Sequence, residues 1–403
     1  MRRTHSLVML PWLLAASSWL AAARDGLAQE PSPSPTPAPT PSQASAPPVL
    51  EPEAAPAPAP VYPAAPPPGA SGGGSQASNY FNPSISVIGN FLGVAGHNPV
   101  ENLPAASLRE SEVALQAIVD PYGRADFFLS FSEEGVEVEE GFLTLTSLPW
   151  KLLAKVGRMR VSFGKINTLH LHVLPWPDSP LPIVNLLGGE DGWKGTGVSV
   201  ARLLPLPGDT FSEVTLQVFD GNADGLFSAP NRGNLSYNGH YRIFKDLSEA
   251  VNVDLGVSYG AGPNDTATKT DMQWTTLGGA DLTLRWKPLQ TGNYHAFILR
   301  GEYIHSDRRE PFGDQRGYGW FVSGDYQFAK RWWVGARVEA SDHADDARLR
   351  DKGQAVTLTF NPSEFSQIRT ELRRRTYGGT NVQATEALFQ LQFAIGAHGA
   401  HPF

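Results

Sequence analysis

The 403-residue sequence contains no cysteine. A disulfide framework, a thiolate metal site and a cysteine nucleophile are therefore excluded. The sequence also lacks the G-x-S-x-G, P-loop, H-E-x-x-H and dinucleotide-binding motifs, so no motif indicates an enzyme and we expect no enzymatic activity. Lysine and arginine number 32 against 40 aspartates and glutamates. This acidic excess argues against a nucleic-acid partner, which would require basic patches.

Long hydrophobic runs are also missing. No stretch approaches the ~18 consecutive apolar residues that a membrane-spanning helix needs. A membrane protein with this sequence would have to be a closed β-barrel, because only helices and closed sheets satisfy every backbone hydrogen-bonding group in lipid. Proline and glycine are abundant by contrast, with 34 and 40 residues.

The N-terminal part of the chain indicates export. Residues 1–28 have the layout of a secretory signal peptide, with a basic start, an apolar run and small residues that place cleavage near Ala28. Residues 29–78 are rich in Pro, Ala, Ser and Gly, and cannot bury enough surface to offset the entropy of ordering. We predict that they form a disordered periplasmic linker, with a tether to the cell wall or to a periplasmic partner as the alternative.

From residue 79 onward, apolar and polar residues alternate in short segments, the pattern typical of β-strands. In residues 251–259 the Val, Leu and Tyr side chains share one face, and Asn, Asp and Ser lie on the other. Residues 389–395 repeat the pattern. We predict about sixteen strands, at residues 83–94, 108–119, 124–133, 136–147, 152–162, 196–204, 211–220, 236–245, 249–260, 274–287, 294–305, 317–328, 331–341, 353–360, 364–375 and 384–396.

The connections between these strands alternate in length. Short turns such as 120–123 and 246–248 alternate with mostly longer polar loops such as 95–107 and 222–235. Short turns at one end and long loops at the other are typical of transmembrane barrels, whose strands cross the membrane with ~9–11 residues. We therefore predict that residues 79–403 form an all-β, transmembrane antiparallel β-barrel. A water-soluble sandwich, whose strands also alternate, is the alternative.

Aromatic residues support contact with lipid. Interfacial girdles of transmembrane barrels contain Trp, Tyr and Phe near strand ends. The candidates for such girdles are Tyr303, Trp320, Tyr326, Phe328, Trp332, Trp333 and Phe360. The sequence ends at Phe403, and a terminal phenylalanine resembles the signal by which outer-membrane barrels are recognised, so we expect the barrel-assembly machinery as a partner.

The segment Phe163–Gly195 differs from the rest of the barrel sequence. Its four prolines exclude a regular helix or a central strand, yet it contains too many apolar residues for a solvated loop. A long structureless connection in a compact protein is usually functional. We predict that it folds into the lumen as a constriction containing His170, His172, Trp176 and Asp178. Packing on top of the barrel or against a neighbouring subunit is the alternative.

Charged residues at alternating strand positions are expected to face the lumen, because charge on the lipid face costs ~2–4 kcal/mol at the membrane midplane. Inside a pore such residues set ion preference, whereas salt bridges that only brace the wall are the alternative. The arginines at 369–375 suggest anion preference, which nearby carboxylates offset. The candidate pore-lining residues are Arg158, Arg160, Arg242, Arg285, Arg300, Glu302, Arg337, Glu339, Arg369, Glu371, Arg373 and Arg375.

Two histidines form a candidate zinc site. His170 and His172 share one face of an extended chain and could bind zinc or copper with a third ligand such as Asp178, with an unliganded pair as the alternative. The glutamates between 133 and 140 crowd a predicted hairpin. They could bind divalent cations or bridge lipopolysaccharide through metal, with a solvated charged loop as the alternative.

A second candidate metal site resembles the start of a calcium loop. Asp220, Asn222 and Asp224 occupy alternate positions before Gly225, as in D-x-N-x-D-G. Position twelve is Asn231 instead of the bidentate glutamate, so the full motif is not present. A plain polar turn is the alternative, and the sequence predicts no cofactor beyond these candidate zinc and calcium sites.

Four segments resemble a family of porin-like outer-membrane proteins from Gram-negative bacteria. They are Ile85–Gly93, Leu108–Ala117, Val119–Phe128 and Val156–Asn167, and the resemblance extends over most of the region after the linker. Some similar proteins carry the label of zinc-regulated TonB-dependent receptors. The sequence departs from true receptors of that kind, because it has no plug domain and too few residues for 22 strands.

These observations predict an outer-membrane channel for passive diffusion of small hydrophilic solutes or ions. We expect outer-membrane lipid and lipopolysaccharide to surround the barrel. The oligomeric state that this hypothesis suggests is a homotrimer. The rival hypothesis is a non-conducting barrel that acts as a metal or ligand receptor or as a structural anchor.

Overall fold

The computed structural model describes residues 83–133 and 135–396. The predicted signal peptide at 1–28, the predicted linker at 29–78 and the terminal Phe403 lie outside the described residues. Within the described ranges, no helix has the length and apolar character that crossing a bilayer requires.

Sixteen antiparallel strands form one closed barrel, because each strand pairs with its neighbours in sequence and the first pairs with the last. This confirms the predicted sixteen-stranded architecture. The strands are β1 (Ser84–His97), β2 (Ala106–Asp120), β3 (Gly123–Ser132), β4 (Gly135–Leu145), β5 (Leu152–Arg160), β6 (Lys194–Leu203), β7 (Phe211–Phe219), β8 (Ser236–Ser248), β9 (Val251–Pro263), β10 (Trp274–Trp286), β11 (Ala296–Arg308), β12 (Gln315–Ala329), β13 (Trp332–Asp342), β14 (Arg350–Ser363), β15 (Ser366–Tyr377) and β16 (Val382–Gly396).

The outer face of the barrel is apolar and its inner face is polar. Along β16, Phe389, Leu391 and Phe393 are 38–49% exposed, whereas Gln390 and Gln392 are 1% and 8% exposed. A water-soluble sandwich would bury the apolar set and expose the polar set. The observed arrangement is the one that a barrel in lipid requires.

Aromatic side chains cluster where strands end. Trp332, at the start of β13, stacks on Phe360 with ring centroids 4.5 Å apart, and Phe328 lies 6.4 Å from the same indole. All belong to the end of the barrel at which short turns join the strands. The position agrees with the interfacial girdle that the sequence predicts.

The two ends of the barrel differ in their connections. Turns of two residues join β2 to β3, β8 to β9, β12 to β13 and β14 to β15 at one end, which we call the short-turn end. The opposite, long-loop end has mostly longer connections, including residues 98–105, 161–193, 220–235 and 264–273.

The segment Phe163–Gly195, which we call the constriction loop after the role that the sequence predicts for it, connects β5 to β6 at the long-loop end and folds back against inner-face residues of the barrel. It contains 3₁₀ turns at Ile166–Thr168 and Leu171–Val173 and the helix α1 (Leu181–Leu186). The prediction that its prolines exclude a regular helix is wrong. Pro180 is the N-cap of α1 and Pro182 lies in the first turn, where no intrahelical N–H donor is required.

A hydrophobic cluster joins the constriction loop to the inner wall. Loop residues Trp176, Leu186 and Trp193 pack in one buried cluster with wall residues that include Phe219 and Phe321. Full burial of each large apolar side chain contributes ~1.5–3 kcal/mol, so this cluster contributes to holding the loop inside the barrel.

Wall glycines make room for the loop. A Cβ atom at Gly260 would lie 2.7 Å from the Trp193 ring, and one at Gly279 would lie 2.8 Å from the Phe163 ring. Real Cβ atoms do not approach that closely, so a larger residue at either position would displace an aromatic side chain of the loop. The sequence of the wall is therefore matched to this position of the loop.

Candidate functional site

The constriction loop is fixed by a carboxylate that three arginines surround. Asp178 accepts hydrogen bonds from Arg337 Nη2 at 2.6 Å, Arg375 Nη2 at 2.7 Å and Arg373 Nη1 at 3.0 Å. Burial alone would raise the pKa of Asp178, but the three guanidinium groups outweigh it and hold the pKa well below its usual range. We call Asp178 with Arg337, Arg373 and Arg375 the arginine clasp.

Trp176 extends this anchor with apolar contact. Its indole packs edge-on against Phe321, with ring centroids 5.3 Å apart. The Arg337 guanidinium lies 4.8 Å from the centroid of the same indole, within range of a cation–π interaction. Arg337 therefore contacts both the charged and the aromatic anchor of the loop.

Wall side chains also bind the backbone of the loop. Glu302 accepts hydrogen bonds from the N–H groups of Lys165 and Ile166, both at 2.7 Å. Glu339 accepts one from Leu181 N–H at 3.0 Å. Arg369 donates one to the carbonyl oxygen of Leu174 at 2.9 Å. Contacts from several strands therefore hold the loop along its length.

Seven of the twelve candidate pore-lining residues contact the constriction loop. Those with direct contacts to the segment 163–195 are Arg160, Glu302, Arg337, Glu339, Arg369, Arg373 and Arg375. The others are Arg158, Arg242, Arg285, Arg300 and Glu371, of which Arg158, Arg242 and Arg300 pair with Glu137, Asp254 and Asp325. Glu371 lies 3.9 Å from Arg337, and Arg285 lies near Asp254. In the sheet, Arg158 pairs with Gly141, which in turn pairs with the exposed Phe127 of the outer face.

A cavity of about 700 Å³ lies at the long-loop end between the constriction loop and the wall. Its lining includes nine aspartates and glutamates against four arginines and lysines. Asp178 and Arg373 are paired with each other in the arginine clasp, which leaves eight carboxylates against three cationic side chains. The cavity therefore carries a negative charge excess in the part of the chain that the structure describes.

His170 lies among three glutamates. Its Nδ1 atom is 2.6 Å from Glu112 Oε2 and 2.8 Å from Glu139 Oε2, and its Nε2 atom is 2.9 Å from Glu140 Oε2. Burial alone would lower the pKa of His170, but hydrogen bonds with these carboxylates outweigh it and hold the pKa well above its usual value.

His172 lies beside the same group. Its Nδ1 atom is 3.6 Å from Glu110 Oε1 and 3.7 Å from Glu112 Oε2. Asp178, the third zinc ligand that the sequence suggested, lies in the arginine clasp instead. We call Glu110, Glu112, Glu139, Glu140, His170 and His172 the histidine–glutamate cluster.

The candidate calcium loop adopts a hydrogen-bonded turn. Asn222 Oδ1 accepts a hydrogen bond from Ala229 N–H at 3.0 Å, and Asp220 and Asp224 are exposed. Two groups of histidine and acidic side chains in the described ranges are close enough to share a metal ion, and neither includes Asp220 or Asp224. Calcium binding at this loop stays a prediction.

Sequence reasoning missed two parts of the site. Glu110 was not named, although it precedes Glu112 by two residues on β2 and so shares its inward face. The wall glycines Gly260 and Gly279 were also missed. An isolated glycine in a strand does signal close approach of another group, but it does not identify that group.

Comparison with known proteins identifies solved structures that share this fold. No family model matches the sequence. An uncharacterized protein of Aquifex aeolicus (strain VF5) is 29% identical in an alignment of length 347 that covers 76% of this chain and 72% of that protein. Among solved structures, the anion-selective porin from Comamonas acidovorans has a TM-score of 0.54 at 12% identity, over 78% of this chain and 100% of that one. Pseudomonas putida OprB has a TM-score of 0.54 at 11% identity, over 79% and 95%. The chain thus has the barrel fold of outer-membrane porins.

Proposed function

We propose that the protein is an outer-membrane channel for passive diffusion of small hydrophilic solutes or ions, and that the constriction loop narrows its lumen. The single observation that carries this proposal is the match between loop and inner wall. Gly260 and Gly279 leave space for loop aromatics, and three wall arginines surround Asp178. By the asymmetry of transmembrane barrels, the long-loop end faces outward and the short-turn end faces the periplasm.

We further propose that the channel prefers cations. The arginines at 369–375 suggested anion preference, but Arg373 and Arg375 are paired with Asp178 and with Glu101. Their charge is thereby compensated inside the wall. The cavity at the long-loop end, by contrast, has an excess of carboxylates, which raises the local concentration of cations.

Reversal potentials in planar bilayers test both proposals. In a KCl gradient, the intact protein is expected to conduct, with a reversal potential of the sign that K⁺ preference gives. The double variant Asp220→Asn and Asp224→Asn removes two exposed carboxylates from the cavity lining and should move the reversal potential towards zero. Asp271→Asn, in an exposed loop outside that lining, is the matched control and should leave it unchanged. A reversal potential of the opposite sign would refute cation preference, and absence of conductance would refute an open channel.

A non-conducting barrel that acts as a receptor or structural anchor is the second candidate. It is favoured by the burial of inward residues beside the loop, since Arg337, Glu371 and Gln390 are each at most 1% exposed. A wide water-filled passage would leave such side chains accessible. Absence of conductance in the intact protein, together with conductance after removal of the loop, would support this candidate.

The remaining partners stay predictions. The proposed role as an outer-membrane channel implies lipid and lipopolysaccharide around the barrel, the barrel-assembly machinery and a homotrimer. It also implies no catalytic activity. Crosslinking in native outer membranes would test the trimer.

A further inference from the structure

The histidine–glutamate cluster concentrates negative charge where the constriction loop meets β2 and β4. Glu110, Glu112, Glu139 and Glu140 are all buried. In the described part of the chain, Arg160 is the one arginine or lysine that forms an ion pair with any of the four, at 3.4 Å from Glu139. Buried carboxylates this close together repel one another. Even if both histidines carry a proton, Arg160, His170 and His172 supply three positive charges against four carboxylates, so the cluster stays negative and can accommodate further positive charge.

Glu110 shows this capacity most directly. It is 2% exposed, and neither of its carboxylate oxygens accepts a hydrogen bond from any described residue. A buried polar group without a hydrogen bond destabilises the folded protein, and a charged group does so more strongly. The carboxylate points toward His172, whose Nδ1 atom is 3.6 Å from Glu110 Oε1.

The spacing of the donor atoms suits one metal ion. One ligand atom from each of Glu112, His170 and His172 lies within 4.8 Å of the other two, and the same holds for Glu110, Glu112 and Glu139. Ligands bound to zinc at 2.0–2.2 Å in a tetrahedron are ~3.3–3.6 Å apart. His172 Nδ1 is 3.6 and 3.7 Å from oxygens of Glu110 and Glu112, at or just above the upper end of that range. His170 Nδ1 is closer to its carboxylate oxygens, at 2.6 and 2.8 Å, so these groups would move apart by about 1 Å or less around a bound ion.

Glu140 lies where it can orient the ring of His170. Its Oε2 atom is 2.9 Å from His170 Nε2, while His170 Nδ1 faces Glu112 and Glu139. Histidines that bind metals usually donate their second ring N–H to a carboxylate, which fixes the tautomer and the orientation of the ring. Glu140 can therefore hold His170 with Nδ1 directed at the metal position.

We propose that Glu112, His170 and His172 bind a divalent transition-metal ion of the zinc class, and that Glu110 or Glu139 completes its coordination. Imidazole with carboxylate suits zinc and its neighbours in the first transition row, whereas calcium takes oxygen ligands only. Glu110 and Glu139 line the cavity at the long-loop end, which provides an entry route from solvent. The bound ion would tether the constriction loop to β2 and β4, whether or not the barrel conducts.

Zinc binding to the untagged, detergent-solubilised full chain tests this proposal. After treatment with chelator and its removal, equilibrium dialysis should find one tightly bound Zn²⁺ per chain. Isothermal titration should show affinity at least tenfold lower for Glu112→Gln and for His172→Asn, since loss of even an orienting residue costs ~10–100-fold. Because Glu112→Gln keeps the shape of the side chain, the barrel is expected to remain folded, which heat-modifiable migration in electrophoresis checks.

Two controls address other histidines. His343→Asn removes a histidine that lies 2.9 Å from Asp351, outside the cluster, and should leave zinc affinity unchanged. The double variant His398→Asn and His401→Asn removes the other closely spaced histidine pair of the sequence and should also leave zinc affinity unchanged. X-ray absorption of the zinc-loaded intact protein provides a measurement that needs no variant, and should show nitrogen and oxygen ligands including two imidazoles. Absence of stoichiometric zinc, or affinity that survives in both cluster variants, would overturn the proposal.

Discussion

Deletion of residues 168–190 from the constriction loop should increase single-channel conductance several-fold. The deletion removes α1, Trp176 and Asp178, which together occupy the space beside β12, β13 and β15. Asn167 remains, and it holds the base of the loop through hydrogen bonds to the carbonyl oxygens of Val161 and Trp193. The barrel should therefore close as before around a wider column of water. Planar-bilayer recordings of the intact and deleted proteins measure the difference.

A matched control shortens a different connection at the same end. Deletion of residues 267–271 removes a mostly exposed part of the β9–β10 loop and should leave conductance unchanged. Equal conductance of the intact protein and the 168–190 deletion would show that the loop does not narrow the pore. Absence of conductance in both would refute the channel itself.

Asp178→Asn should destabilise the closed position of the loop and shift ion preference toward anions. Removing the charge leaves Arg337, Arg373 and Arg375 buried without their shared carboxylate, and breaking a buried ion pair in this way costs ~3–5 kcal/mol. The guanidinium groups can recover hydration only if the loop moves away. We expect larger conductance, more frequent current fluctuations and a reversal potential displaced toward that of an anion-selective channel.

Asp346→Asn is the matched control for the arginine clasp. Asp346 also pairs with an arginine, but its partner Arg348 is fully exposed, so loss of this pair should change neither conductance nor selectivity. Unchanged selectivity and conductance in Asp178→Asn would show that the arginine clasp does not hold the loop in place.

The arginine clasp should also persist in mild acid. The pKa of Asp178 is held below its usual range, so the stabilising contribution of its carboxylate is present above the ordinary aspartate pKa of ~3.9. That contribution is lost only as pH falls through the lowered value in the folded protein. Current recordings between neutral pH and pH ~4.5 should therefore show no release of the loop by Asp178 itself.

The sequence predicts the strands well because each strand faces lipid on one side and water or polar groups on the other. The segment 251–259 alternates over its whole length and lies within β9. Strand ends were less accurate, as at 353–360, where β14 extends from Arg350 to Ser363. Arg350 pairs with Asp342 of β13 in the sheet, and its side chain donates hydrogen bonds to the Asp342 carboxylate. Such a polar pair shows no hydrophobic alternation in the sequence.

The contacts of the loop were harder to predict, because they join residues that are far apart in sequence. Loop composition indicated that residues 163–195 fold inward, but Asp178 finds its arginines 159 to 197 positions later. The zinc hypothesis paired His170 with Asp178, which is near in sequence, whereas the carboxylates near His170 belong to β2 and β4. Only the register of the closed barrel brings these groups together.

Contact between the apolar strand faces and lipid is tested most directly by the oxygen accessibility of spin labels along β16. The sequence has no cysteine, so a single introduced cysteine at each of 389–393 carries the only label. In liposomes, labels at Phe389, Leu391 and Phe393 should collide with lipid-soluble oxygen and be shielded from a water-soluble nickel chelate. Labels at Gln390 and Gln392 should show low oxygen collision rates, which gives a period of two. Uniform oxygen accessibility, or nickel collisions at the three apolar positions, would contradict the account.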